Sequence, residues 1–223
     1  MARTEDLIGD LAAGLRPVRR MPGPGVQAAL WLAGAAAAIG VAVLLHGVRH
    51  DLMARLMLPQ EGAQWLAAVA TGIAAALAAA LAAAMLARPD RSARWALLPL
   101  PFALAWAAML GLGCLEDLVR LGDRALQPRL SMGCIRFILG LGIPLGAGLL
   151  LLLRHAGPVR PTPVLLLAGL ASAALCSAGL TLFHHLDAAL EVLVSHGLAI
   201  ALVAVLGRAL GRPLLMRAPV AAG

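Results

Sequence analysis

Long apolar runs separated by short polar links dominate the pattern of hydrophobic and polar positions along this chain. A helix needs about 20 predominantly apolar residues to cross the hydrocarbon core of a bilayer. The runs that reach this length are Val26–Val48, Gln64–Ala87, Trp95–Cys114, Met132–Leu153, Pro163–Phe183 and Ala189–Leu206. The pattern therefore predicts an all-α polytopic membrane protein, a bundle of six transmembrane helices, with the lipid bilayer as its surroundings.

The arginines in the links predict how this bundle is oriented. Twelve of them fall on the side that carries the two chain ends and five on the other side, while Arg136 lies just inside a run. Because cytoplasmic loops of membrane proteins are enriched in Arg and Lys, both termini are expected in the cytoplasm. Residues 1–25 then form a cytoplasmic N-terminal segment, 26–210 the transmembrane domain, and 211–223 a cytoplasmic tail.

Composition supports a membrane protein and argues against several other functions. Hydrophobic residues make up 61% of the chain and charged residues 13%, and the net charge of +7 comes from arginine alone. The arginines form no stripe interleaved with stacking aromatic residues, so direct nucleic-acid binding is not predicted. The chain also lacks Walker, dinucleotide-binding, HExxH and GxSxG motifs, which argues against an enzyme and against a required cofactor.

The positions of ionisable and small residues in the runs argue against a transporter and indicate closely packed helices. Arg136, Glu191 and His196 fall near the ends of their runs, whereas coupled transporters use ionisable groups deep in the membrane. Small residues four apart, Gly142 with Gly146 and Gly169 with Ala173, let helices approach closely. A small-molecule or metal-ion transporter remains the alternative to a regulator, and a structural or assembly protein of the inner membrane is a weaker third possibility.

The polar segment before the first run predicts a short amphipathic helix. At 100° per residue, Leu7, Ile8, Leu11 and Leu15 fall on one narrow stripe, and Pro17 ends the helix. This stripe could rest on lipid headgroups, on cytoplasmic loops of the same protein, or in the groove of a soluble partner. Acidic residues count against the headgroups, because interfacial helices prefer basic polar faces. The residues alone leave the choice open.

A resemblance to a known family favours the soluble partner. The segment TEDLIGDLAAGLRPV, residues 4–18, resembles the start of the NrsF-type family of bacterial integral-membrane anti-sigma factors. The loop RPDRSARW at 88–95, the turn GPVRP at 157–161 and the six runs extend this resemblance over essentially the whole chain. It implies an inner-membrane protein that sequesters a sigma factor of the extracytoplasmic-function class and releases it on an outer-face metal or redox signal. The implied partner-binding residues are Leu7, Ile8, Leu11, Leu15 and Pro17.

Cysteines and histidines gather toward the predicted outer face. Cys114, Cys134 and Cys176 have no zinc-type spacing, and Cys134 matches a cysteine that the family resemblance places at the start of span four. The resemblance also implies a His-Cys pair and an acidic residue after span five. This chain has His184, His185 and then Asp187 at that place, so a disulfide between those two positions is impossible.

A metal or oxidant sensor formed by Cys134, His184, His185 and Asp187 is one hypothesis for this cluster, because thiolate and imidazole ligands suit soft metal ions. The alternatives are that the cysteines are small packing residues with interfacial histidines, or that Cys134 pairs with Cys176 or Cys114.

Overall fold

The computed structural model describes residues 4–14, 21–123, 130–184 and 189–216, and this part of the chain is helical without strands. Its α-helices, in chain order, are α1 (Thr4–Ala13), α2 (Pro24–His46), α3 (Leu52–Met57), α4 (Pro59–Leu86), α5 (Leu100–Leu121), α6 (Met132–Leu153), α7 (Pro161–Leu180), α8 (Ala189–Leu210) and α9 (Arg212–Met216).

The predicted six-helix bundle is confirmed. Six helices, α2 and α4 to α8, are long and apolar enough to cross a membrane, and each corresponds to one predicted run. Successive long helices run in opposite directions because the links between them are short. We call the end of the bundle where α2 begins the N-terminal end, and the opposite one the far end.

Two helices extend further at the far end than their apolar runs. The helix α4 begins at Pro59 rather than Gln64, and α5 continues past Cys114 to Leu121. Polar contacts between the two extensions explain this, since the Gln64 amide donates to the Glu116 carboxylate and Arg120 Nη1 lies 3.8 Å from Glu61 Oε1. Glu116 therefore belongs to a helix and not to an outer loop.

The helix α7 is the centre of the bundle. Nearly all of its residues from Val164 to Leu180 are buried, and it packs against α4, α6 and α8. Small residues allow these approaches: a Cβ added to Gly169 would lie 2.7 Å from Ala204 Cα of α8, and one added to Gly142 would lie 3.7 Å from Ala173 Cα. The predicted small-residue steps are therefore positions where helix backbones meet.

The short helix α9 folds back onto the N-terminal end of the bundle. It packs against α6, α7 and α8, and its Leu215 side chain is buried. The turn before it needs glycine, because a Cβ on Gly211 would collide with the backbone carbonyl oxygen of Gly207. Part of the predicted tail, residues 211–223, is thus packed on the bundle.

Candidate functional site

The helix α1 presents an unburied apolar stripe at the N-terminal end. Leu7, Ile8 and Leu11 are 55%, 54% and 64% exposed, and none of the helix's residues is buried. Glu5 and Asp6 lie in its first turn, where carboxylates interact favourably with the positive end of the helix dipole. The predicted amphipathic helix is therefore formed, and its stripe is exposed.

Two of the predicted partner-binding residues lie outside this description. The helix ends at Ala13 with Gly14 in a turn, and Leu15 and Pro17 fall in the range 15–20 that the structure does not describe. Leu7, Ile8 and Leu11 are thus the part of the stripe that the structure describes.

Hydrogen bonds from Arg88 hold Pro22, just before α2, against the bundle. The Arg88 guanidinium donates to the carbonyl of Pro22 at 2.7 Å, to the carbonyl of Ala84 at 2.9 Å and to Gln27 Oε1 at 3.3 Å. Gln27 Nε2 in turn donates to the carbonyl of Leu152 on α6 at 3.1 Å. We call Arg88, Pro22 and Gln27 the Arg88 latch. Burial lowers the pKa of Arg88, but an Arg side chain stays charged at neutral pH.

At the far end, His184 lies beside the helix turn that carries Cys134. Cys134 is fully buried in the first turn of α6, where its N–H donates to the Ser131 hydroxyl at 3.5 Å. His184 Nε2 lies 3.2 Å from the place that a Cβ on Gly133 would occupy, so the imidazole covers the backbone next to Cys134. The structure brings these two predicted sensor residues to the same helix end.

The other half of the predicted sensor site is not described. His185 and Asp187 fall in the range 185–188, outside the described residues. Within the described ranges, no group of three or more His, Cys, Asp and Glu side chains could hold a metal ion. The metal-site hypothesis depends on those two residues.

The three cysteines are free thiols with different surroundings. Cys134 and Cys176 are fully buried in one apolar cluster with Ile138, at the contact of α6, α7 and α8, whereas Cys114 is half-buried on α5. An aqueous reagent would reach Cys134 or Cys176 only after these helices separate. Their burial also agrees with the alternative in which they serve as small packing residues.

His196 is a buried polar residue that the sequence analysis placed near a span end. It is 1% exposed, and its Nδ1 lies 2.5 Å from Ser177 Oγ on α7. The neighbouring Ser195 hydroxyl accepts a hydrogen bond from the Ser131 N–H at 3.0 Å. Two adjacent polar residues, Ser195 and His196, in an apolar helix could have indicated a buried polar contact. The sequence alone does not reveal that the partner of His196 is Ser177 on α7.

The link between α2 and α3 is fixed by a buried arginine. Arg49 Nε and Nη2 donate to the two carboxylate oxygens of Asp51 at 2.7 and 2.6 Å, and Arg55 Nε donates to Asp51 at 3.0 Å. These bonds, chiefly the one from Arg49, hold the pKa of Asp51 well below its usual range. The backbone N–H of Arg49 also donates to the carbonyl of Leu182, just after α7, at 2.9 Å. The link is therefore joined to the end of α7.

Comparison with known proteins finds that the chain matches the model of one protein family. The family model described as negative regulator of sigma F matches residues 11–216, which include all six long helices and the last three residues of α1. No curated protein and no solved structure matches the chain.

Proposed function

The chain belongs to the NrsF family of negative regulators of sigma F, and we propose that it is an anti-sigma factor of the bacterial inner membrane. In this proposal α1 binds a sigma factor of the extracytoplasmic-function class in the cytoplasm, and a metal or redox signal at the outer face releases it. The arginine distribution supports the orientation, because the N-terminal end of the bundle carries the arginine-rich links.

The exposed stripe of α1 is the observation that carries this proposal. Leu7, Ile8 and Leu11 form an apolar face that the bundle leaves unburied. Burying each such side chain contributes about 1.5–3 kcal/mol, so roughly 5–9 kcal/mol is gained before the cost of ordering the complex. With further contacts this is compatible with micromolar binding, which requires about 8 kcal/mol. A helix lying in a partner's apolar groove uses such a face.

The charge of α1 favours a protein partner over the membrane surface. Glu5, Asp6 and Asp10 make the described helix acidic, and it contains no basic residue. Anionic headgroups would repel these carboxylates, whereas a groove with a basic rim would attract them. Such binding would negatively regulate the sigma factor by covering a surface that it needs for transcription.

The far end supports a sensing role through its thiol and imidazole groups. Cys134 lies in the first turn of α6 with its thiol buried, and the His184 imidazole lies beside that turn. A metal ion or oxidant that reacts with this thiol would have to separate α6 from its neighbours. We propose that this separation is the signal, with His185 and Asp187 as further ligands if the signal is a metal ion.

Co-purification from the native host tests the proposed function. The tagged full-length protein, extracted in mild detergent, is expected to bring a sigma factor with it, and a variant without residues 1–20 is expected to lose it while still reaching the membrane fraction. A sigma factor that stays bound to the truncated protein would overturn the role of α1. A membrane protein without any sigma factor would overturn the proposed function.

A further inference from the structure

A small cavity lies between four of the long helices in the far half of the bundle. Its volume is about 40 Å³, and its wall includes Trp65 of α4, Trp106 of α5, Ser177 of α7 and His196 of α8. These helices come from separate parts of the chain, so the cavity is a product of the packed bundle.

Two polar atoms of the cavity wall are buried without a protein partner. Neither Trp65 Nε1 nor His196 Nε2 has a hydrogen bond within the described part of the chain. His196 is 1% exposed, and its other ring nitrogen is already engaged by the Ser177 hydroxyl at 2.5 Å. The two unpartnered nitrogens belong to two different helices that line the cavity, α4 and α8.

The chemistry of these atoms identifies the ligand that they fit. The Trp65 indole can only donate, and the neutral imidazole of His196 accepts at Nε2 when its Nδ1–H donates to Ser177. In this tautomer the ligand must both accept and donate, and in the other one, in which the Ser177 hydroxyl donates to Nδ1, it accepts from both nitrogens; water can do either. Polar groups inside a bilayer are paired, and a cavity of roughly 10–15 Å³ already accommodates a water molecule. We propose that this cavity is an internal water site, in which water accepts from Trp65 and donates to His196 and so joins α4 to α8.

Other occupants fit these walls less well. A metal ion would find one imidazole there, and the described residues contain no cluster of three metal-ligating side chains. An apolar molecule would leave both nitrogens unpaired, which is unfavourable in a membrane interior. The water site is independent of the sigma-factor proposal, because it depends on the bundle interior alone.

Water-edited solid-state NMR of the full-length protein in lipid bilayers tests this site. Each of the four tryptophans follows a different residue type, so paired labelling of tryptophan and its predecessor assigns every indole without a substitution. The Trp65 indole N–H is expected to receive magnetisation from water at short mixing times. Trp31 is the internal control, since its indole donates to the carbonyl of Leu145 at 2.9 Å, and we expect no early transfer there. Transfer at Trp65 as slow as at Trp31 would overturn the proposal.

A substitution that fills the cavity tests whether the water lies inside it. Ala68 lines the cavity, whereas Ala70 on the same helix is exposed and does not line it. Ala68→Leu is expected to abolish the early water transfer at Trp65, and the matched Ala70→Leu is expected to leave it unchanged. Early transfer that persists in a folded Ala68→Leu protein would show that the water lies elsewhere. The comparison of Trp65 with Trp31 in the unsubstituted protein remains decisive if that variant does not fold.

Discussion

At the scale of single residues, one added charge on α1 tests whether its stripe contacts the partner. In Leu11→Asp the charge falls on the apolar stripe, and the loss of one buried aliphatic side chain, about 1.5–3 kcal/mol, is expected to weaken sigma-factor binding by about tenfold or more. Gly9→Asp is the matched control, because it adds the same charge on the polar face, where a Cβ meets nothing within 4 Å. Titration of the purified full-length protein measures both affinities, and equal weakening would assign the effect to charge alone.

Asp51 predicts a pH dependence of stability at the far end. Because hydrogen bonds from Arg49 and Arg55 lower its pKa in the folded protein, its stabilising contribution is present above the ordinary carboxylate pKa of about 4 and is lost as the pH falls toward the folded-state value. We expect Asp51→Asn to lower the thermal unfolding midpoint at neutral pH, since it leaves the buried Arg49 charge without its carboxylate. The difference from the unsubstituted protein should narrow in acid.

The matched control for Asp51→Asn is Asp90→Asn. Asp90 also pairs with an arginine, Arg91, at 3.3 Å, but both side chains are well exposed. Exposed pairs contribute little to stability, so the unfolding midpoint should not change. A fall as large as that of Asp51→Asn would show that the buried arginine is not the cause.

The role of a residue could be predicted where it depends on the sequence of its own helix. It could not be predicted where it depends on contacts with a helix that is distant in the chain. The stripe of Leu7, Ile8 and Leu11 follows from helical periodicity alone, and α1 has it. His196 looked like a span-end residue because nothing in α8 indicates that Ser177 faces it across the bundle. The cavity that Trp65 and His196 line together was hidden for the same reason.

At the scale of helices, the Arg88 latch predicts a local change in α2. The Arg88 guanidinium donates to the carbonyl of Pro22, just before this helix, and to the side chain of Gln27 in its first turn. Hydrogen bonds to charged groups contribute about 1.5–3 kcal/mol, so Arg88→Ala should raise the hydrogen exchange of the Gln27 amide in that turn, which donates to the carbonyl of Gly23 at 3.0 Å, by about tenfold or more. Hydrogen–deuterium exchange of the protein in lipid measures this.

The neighbouring Arg91→Ala serves as the control for the latch. Arg91 is exposed and pairs with Asp90 at the surface. We expect the exchange of the first turn of α2 to stay unchanged in this variant. A similar rise in both variants would mean that the loop after α4 acts through its net charge rather than through the hydrogen bonds of Arg88.

The number and order of the spanning helices were predictable, whereas some helix ends and the short helices α3 and α9 were not. Each spanning helix is a long apolar run, and hydrophobicity is the signal that a bilayer selects. The extra turns of α4 and α5 carry polar residues among apolar ones. They are held by contacts of Gln64 with Glu116 and of Arg120 with Glu61, which join residues far apart in the chain. The extent of these helices therefore depends on their pairing.

At the scale of the whole molecule, regulation requires that the two ends of the bundle influence each other. The helix α6 reaches both. Cys134, in its first turn, lies at the far end of the bundle, and Leu152, in its last turn, lies at the N-terminal end of the bundle, where its carbonyl accepts from Gln27. The helix α6 also packs against the central α7, whose small residues permit close contact. A shift of α6 is therefore a physical route by which a change near Cys134 would reach Gln27 and the Arg88 latch, and the regulation that we propose extends this route to α1.

This route predicts that the sigma factor protects a thiol at the opposite end. Coupling between binding sites is reciprocal, so a partner that binds the resting state of the bundle must oppose the opening that exposes Cys134. In a protein that retains Cys134 alone, with Cys114→Ala and Cys176→Ala, we expect saturating sigma factor to slow maleimide labelling by about fivefold or more. Adding Leu11→Asp should remove this protection, because the partner no longer binds α1. If the maleimide labelling rate of Cys134 is the same with and without the sigma factor, α1 and the far end are uncoupled and Cys134 is a packing residue.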